Sequence, residues 1–127
     1  MLRAQALVEF ALAISVFMLL VLGSFDLARA YTTYTVVANA AREASRYGAG
    51  HCCSSGWDTA ARQAGLNLAV GIDTSALSLD VTSTTGSDGL TYIRVSGGYP
   101  FHALTPLVRS LLGDPINMSV STSAPVG

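Results

Sequence analysis

Residues 4–25 read AQALVEFALAISVFMLLVLGSF, and Glu9 is the one ionisable side chain in the run. A carboxylate surrounded by hydrocarbon is costly unless it is paired, so an acid at this position marks a helix built to meet a partner. The stretch Phe10–Phe25 rises about 24 Å at the helical 1.5 Å per residue. That falls a little short of a hydrocarbon core of about 30 Å, and including Ala6–Val8 makes the run long enough to span one. Arg3 on the short leading side favours an orientation with the amino terminus in the cytoplasm and the body of the chain outside.

A cleaved secretory signal is the first rival reading. Arg3, the apolar run and Ala28-Arg29-Ala30 have the outline of one, since such signals combine a basic start, an apolar core and a small-residue cleavage site. The apolar run is longer than a typical signal core, however. Helix-compatible sequence also continues through that point with no Pro or Gly after Ser24 until Gly48.

Bulk properties narrow the function classes. In 127 residues only 12% are charged, the net charge is −1 and all seven cations are Arg. Without a basic field, nucleic acid is not an expected partner. Beyond the apolar run, Leu27, Tyr31, Tyr34, Ala38, Ala41, Ser45 and Gly48 recur at alternating spacings of four and three. Arg29, Asn39, Arg42, Glu43 and Arg46 fall mostly elsewhere. This pattern predicts one long helix from about residue 4 to 47, bare at its start and amphipathic at its end, stopped by Gly48 and Gly50. A second helix fits Trp57–Val70, with Asp58 in its first turn. The period then drops to two over Leu77–Ser83 and again over Tyr92–Tyr99, across a turn at Gly86-Ser87-Asp88-Gly89. A helical turn at Leu107–Leu112 and a third alternating strand around Ile116, Met118 and Val120 complete the chain. The expectation is an α+β fold: a long N-terminal hydrophobic stalk helix carrying a small head of one short helix and a three-stranded antiparallel sheet.

Several stretches resemble the pilin-like proteins of the tight-adherence type, specifically the TadE-like family. They are Gln5–Leu12 (QALVEFAL), Asp26–Ala30 (DLARA), Asn39–Gly48 (NAAREASRYG) and Val95–Leu107 (VSGGYPFHALTPL). The resemblance implies a subunit whose apolar half-helix lies in the membrane before assembly and in a filament core afterwards. It also implies a membrane peptidase that removes a leader so that a Glu becomes the fifth mature residue. Here that cut would fall between Ala4 and Gln5, although the family pattern has Gly where this chain has Ala4.

On this reading Glu9 pairs with the start of a neighbouring subunit. Its partner is the amine of Gln5 if the leader is removed. In an uncut chain it is the neighbour's Arg3, which can hold a carboxylate through two hydrogen bonds. The bland alternative is that Glu9 snorkels to the headgroups. Asp26 and Arg29, one turn apart, are expected to form a local ion pair at the membrane exit, worth about 0–1 kcal/mol.

Cys52 and Cys53 lie outside the cytoplasm in this orientation, where a disulfide is favoured. Adjacent Cα atoms are about 3.8 Å apart, closer than the usual bridge geometry. A strained vicinal bond, an intersubunit bond and two free thiols therefore all stay open. His51-Cys52-Cys53 is poorly spaced to wrap a metal ion. No catalytic or cofactor motif frames the Ser, His and Asp residues.

The sequence thus points to a non-enzymatic subunit without cofactors. Residues 1–27 are its membrane-spanning or filament-core half, and residues 28–127 its extracellular head, including the second half of the long helix. The expected product is a homopolymeric type IV or Tad-like pilus serving adhesion or surface motility. Its partners would be the membrane, the pilus assembly machinery and a prepilin peptidase. The alternatives are a minor TadE-like pseudopilin that assists assembly in the membrane and, from another class, a membrane-tethered enzyme or ligand-binding domain.

Overall fold

The computed structural model describes residues 2–127. Helix α1 (Leu2–His51) is 50 residues long and unbroken, a rod of about 75 Å. Its first half is apolar on every side and is exposed throughout residues 3–22. The serines in that half add little polarity. The hydroxyls of Ser15 and Ser24 donate to the carbonyls of Ala11 and Leu20, each at 2.8 Å, so no hydroxyl is left unpaired where water is scarce.

The second half of α1 is the spine of the head. Asp26, Val37, Ala38, Ala40, Ala41, Ala44, Ser45 and Gly48 are buried, with Ala30 and Thr33 half-buried between them. These positions recur every three to four residues, which is one face of a helix. Of the stripe read from the sequence, Ala38, Ala41, Ser45 and Gly48 are buried, whereas Leu27, Tyr31 and Tyr34 are exposed. The expected glycine stop is also not where α1 ends. Gly48 continues the helix because it lies against the sheet. A Cβ there would come within 2.9 Å of Ile93 Cγ2 and 3.3 Å of the Trp57 ring. The chain turns instead after His51, with Cys53 in the left-handed region at φ 77°.

Helix α2 (Trp57–Leu68) folds back on α1. Gly65 permits the contact, since a Cβ would meet the Ala40 carbonyl oxygen at 2.7 Å, Leu79 Cδ1 at 2.9 Å and Ala44 Cβ at 3.0 Å. Strands β1 (Ser78–Thr85), β2 (Thr91–Phe101) and β3 (Ile116–Pro125) form an antiparallel sheet in the order β1-β2-β3. Val81 pairs with Val95, and Val95 in turn with Thr122. The inward residues Leu79, Val81, Ile93 and Val95 pack on Val37, Ala40, Ala41 and Ala44 of α1. Helix α3 (Pro106–Leu112) lies in the connection from β2 to β3. The architecture is the α+β arrangement expected from the sequence, a long apolar helix bearing a short helix and a three-stranded antiparallel sheet.

Candidate functional site

Burial divides α1 into an exposed half and a packed half. Among the described residues, α1 is the one helix long and apolar enough to cross a membrane, and its most apolar window contributes nothing to the head's core. Leu7, Phe10, Leu12, Val16, Phe17, Leu20 and Leu22 are large and exposed. Water would not tolerate such a rod, so it must be covered by lipid or by other helices.

Glu9 stands on this rod with Gln5 one turn below it and Val8 and Leu12 beside it. Among the described residues it makes no ion pair within the chain. Arg3 lies six residues away along the same helix, about 9 Å lower and two-thirds of a turn around. A bond between Glu9 and Arg3 would therefore have to be made between chains. Ala4, Gln5 and Glu9 are all exposed in the single chain.

Asp26 does more than the expected ion pair. Its carboxylate is only 3% exposed. One oxygen accepts the backbone N–H of Leu104 at 2.9 Å, and the other accepts that of Thr105 at 2.7 Å. Arg29 Nη1 lies 3.4 Å away, a longer contact, while its guanidinium stacks over Phe101, 5.4 Å from the ring centroid. Asp26 thus clamps the stalk to the strand-to-helix corner that leads into α3. Thr105 is the N-cap of that helix and Pro106 follows at its start. This pairing of residues suits a helix start, where proline's fixed φ is already helical and its missing N–H costs nothing. The Thr105-Pro106 pair marks α3 in the sequence. Nothing local signals that the acid meeting it stands 79 residues earlier.

At the far end of the head, Cys52 and Cys53 are bonded to one another, with Cα atoms 3.7 Å apart. His51 stacks on Tyr47 at 4.2 Å between ring centroids, and its Nδ1 lies 3.0 Å from the Tyr47 carbonyl oxygen. The bonded pair forms the corner between α1 and α2. Among the described residues, no group of three His, Cys, Asp or Glu side chains is placed to hold a metal ion.

A comparison with protein families finds one match in the stretch that carries the site. The family described as TadE-like protein matches residues 4–46, which include Glu9, Asp26, Arg29 and the small-residue face of α1. No curated protein and no solved structure matches the chain. Residues 4–46 therefore carry the TadE-like signature, and together with the long apolar helix they fit a Tad pilus-associated protein.

Proposed function

We propose that the chain is a structural subunit of an extracellular Tad-like pilus, held in the cytoplasmic membrane by the first half of α1 until it polymerises. The observation that carries this reading is the fully exposed apolar half of α1 with a single acid, Glu9, near its start. Withdrawing such a helix from lipid is tolerable only if equivalent helices cover it again, and that condition is met in a bundle of subunits. In the bundle Glu9 is neutralised by the start of a neighbour, either the Gln5 amine after cleavage between Ala4 and Gln5 or the Arg3 guanidinium without it. Leu27, Tyr31 and Tyr34, exposed just above the apolar run, extend the same packing surface into the head region. On this reading residues 1–27 form the filament core and residues 28–127 its outer layer. The filament acts mechanically, in adhesion or surface motility.

The test combines the intact mass and amino-terminal sequence of material sheared from cell surfaces with the yield of a Glu9→Ala variant. Abundant subunit in the sheared fraction supports a filament, and its first residue identifies the partner of Glu9. The variant should remain in the membrane and form no filaments, whereas normal yield would overturn the pairing. Protein retained in membranes and missing from sheared material would instead support the second reading, a minor pseudopilin that assists assembly.

A further inference from the structure

Helix α3 has a face that the head does not need. Leu104, Leu107, Leu111 and Leu112 are all exposed, Leu111 at 73%. None of α3's residues is buried. The helix also stands off from α1, leaving an apolar groove of about 200 Å³ lined by Gly23, Leu27 and Ala30 on one side and Val108, Leu112 and Ile116 on the other. The polar groups around it are already paired. Arg109 Nε donates to the Ala103 carbonyl at 2.6 Å and lies 3.8 Å from Asp114. Asp114 also meets His102 at 2.8 Å, and Arg29 meets Asp26. Whatever covers α3 is therefore selected by its leucines rather than by net charge.

Depth identifies the occupant. A helix needs about 20 residues to cross the hydrocarbon core, so with Arg3 at the inner edge the outer edge falls near Gly23. The groove begins at Gly23 and reaches Ala30, seven residues or about 10 Å higher. That interval starts at the hydrocarbon edge and rises through the outer headgroup layer, the boundary at which amphipathic segments seat their apolar side chains. Asp26 fixes α3 at this height through the Leu104 and Thr105 amides.

We propose that α3 is a membrane foot. Its leucines sit in the outer leaflet's interface, and a lipid acyl chain enters the groove between α3 and α1. The proposal rests on the reading of α1 as a membrane span. Extraction into a filament must then strip this foot from lipid as well as withdraw the helix.

The test places one added tryptophan at a time in the full chain, reconstituted in vesicles of phosphatidylethanolamine and phosphatidylglycerol brominated on the upper acyl chain. Emission of the native Trp57 is subtracted using the unsubstituted protein. Leu20→Trp reports on the span, Leu111→Trp on the foot, and Leu90→Trp on the exposed β1–β2 turn. The expected result is strong loss of emission at positions 20 and 111 and none at 90. Loss at 20 without loss at 111 overturns the foot and leaves the span standing. No loss at 20 removes the span and the foot together. Equal loss at 90 and 111 means that the whole head adsorbs, which also overturns a specific foot. An indole at 111 shielded from aqueous acrylamide but untouched by brominated lipid would show that a second subunit covers α3, and the lipid assignment would fail.

Discussion

The two halves of α1 share a backbone and a composition rich in small and apolar residues, yet they answer to different partners. In residues 3–22 large side chains point outward on all sides and take no part in the head's core. From Val37 to Gly48 the buried positions after Val37 are small, and the neighbouring elements come very close. The first half is finished only by assembly or lipid; the second is already part of a core. The first half is apolar on every side and the second on one face only; that face carries mostly small residues, met by glycines on the partner elements that allow close approach.

The sharpest way to break the buried half is to restore a side chain where the partner element has none. Gly65→Val drives methyl groups toward the Ala40 carbonyl and Leu79. The head should lose about 3 kcal/mol, at the upper end of overpacking costs because one of the crowded atoms is backbone. Thermal unfolding of the head would show it.

A matched pair tests the comparison directly. Val37 is 0% exposed and Val16 is 58% exposed. Val37→Ala should destabilise the head by about 2 kcal/mol, from two lost methyl groups and the cavity they leave. Val16→Ala should leave head stability unchanged and act, if anywhere, on filament yield. Equal effects of the two on unfolding would end the division of α1 into halves.

Asp26→Asn should produce a smaller and more local change at the joint between the halves. Faster hydrogen exchange is expected at Leu104 and Thr105, whose amides lose a charged acceptor, with β1 and β2 unaffected. Arg29→Ala should do less, since its contact with Asp26 is 3.4 Å long and the side chain is partly exposed.

The smallest effect concerns pH and lies far from α1. The Tyr92 hydroxyl donates to Asp88 at 2.6 Å, and the Leu90 amide donates to the same carboxylate at 3.1 Å. These bonds hold the Asp88 pKa below its ordinary 3.8 and raise that of Tyr92 above 10.0. The stability tied to Asp88 is complete above its unfolded value and is lost as pH falls through the lowered folded one. For Tyr92 it is complete below the unfolded value and is lost as pH rises through the raised folded one. Protection of the Leu90 amide, taken relative to its intrinsic exchange rate at each pH, should therefore be greatest across the neutral range and fall at both extremes, while protection in the α1 core stays level.

Much of this organisation was legible in the sequence because period and composition carry it. The alternation through Leu79 and Val81 and through Ile93 and Val95 identified the strands, and the uncharged run with Glu9 identified the exposed rod. What the sequence did not disclose depends on contacts between distant residues. Gly48 reads as a helix terminator by local propensity, and only the approach of Ile93 and Trp57 shows why it is glycine. Leu27 and Tyr31 read as one stripe with Ala38 and Ala41, and only the packed head shows that the stripe is exposed at its start and buried at its end. Asp26 reads as the partner of Arg29, and only the returning chain brings the Leu104 and Thr105 amides to it.

The absence of any break in α1 has a mechanical consequence. Because α1 runs from Leu2 to His51 without interruption, the head grips a lever whose free end carries Glu9. Glu9 lies 28 residues from Val37, about 42 Å along the axis, so a rotation of the head by about 5° swings Glu9 sideways by about 4 Å. That displacement is comparable to the reach of an ion pair. If the chain polymerises as proposed, the angle at which heads settle against one another decides whether Glu9 meets its partner, and small head-surface substitutions govern assembly from the opposite end of the molecule.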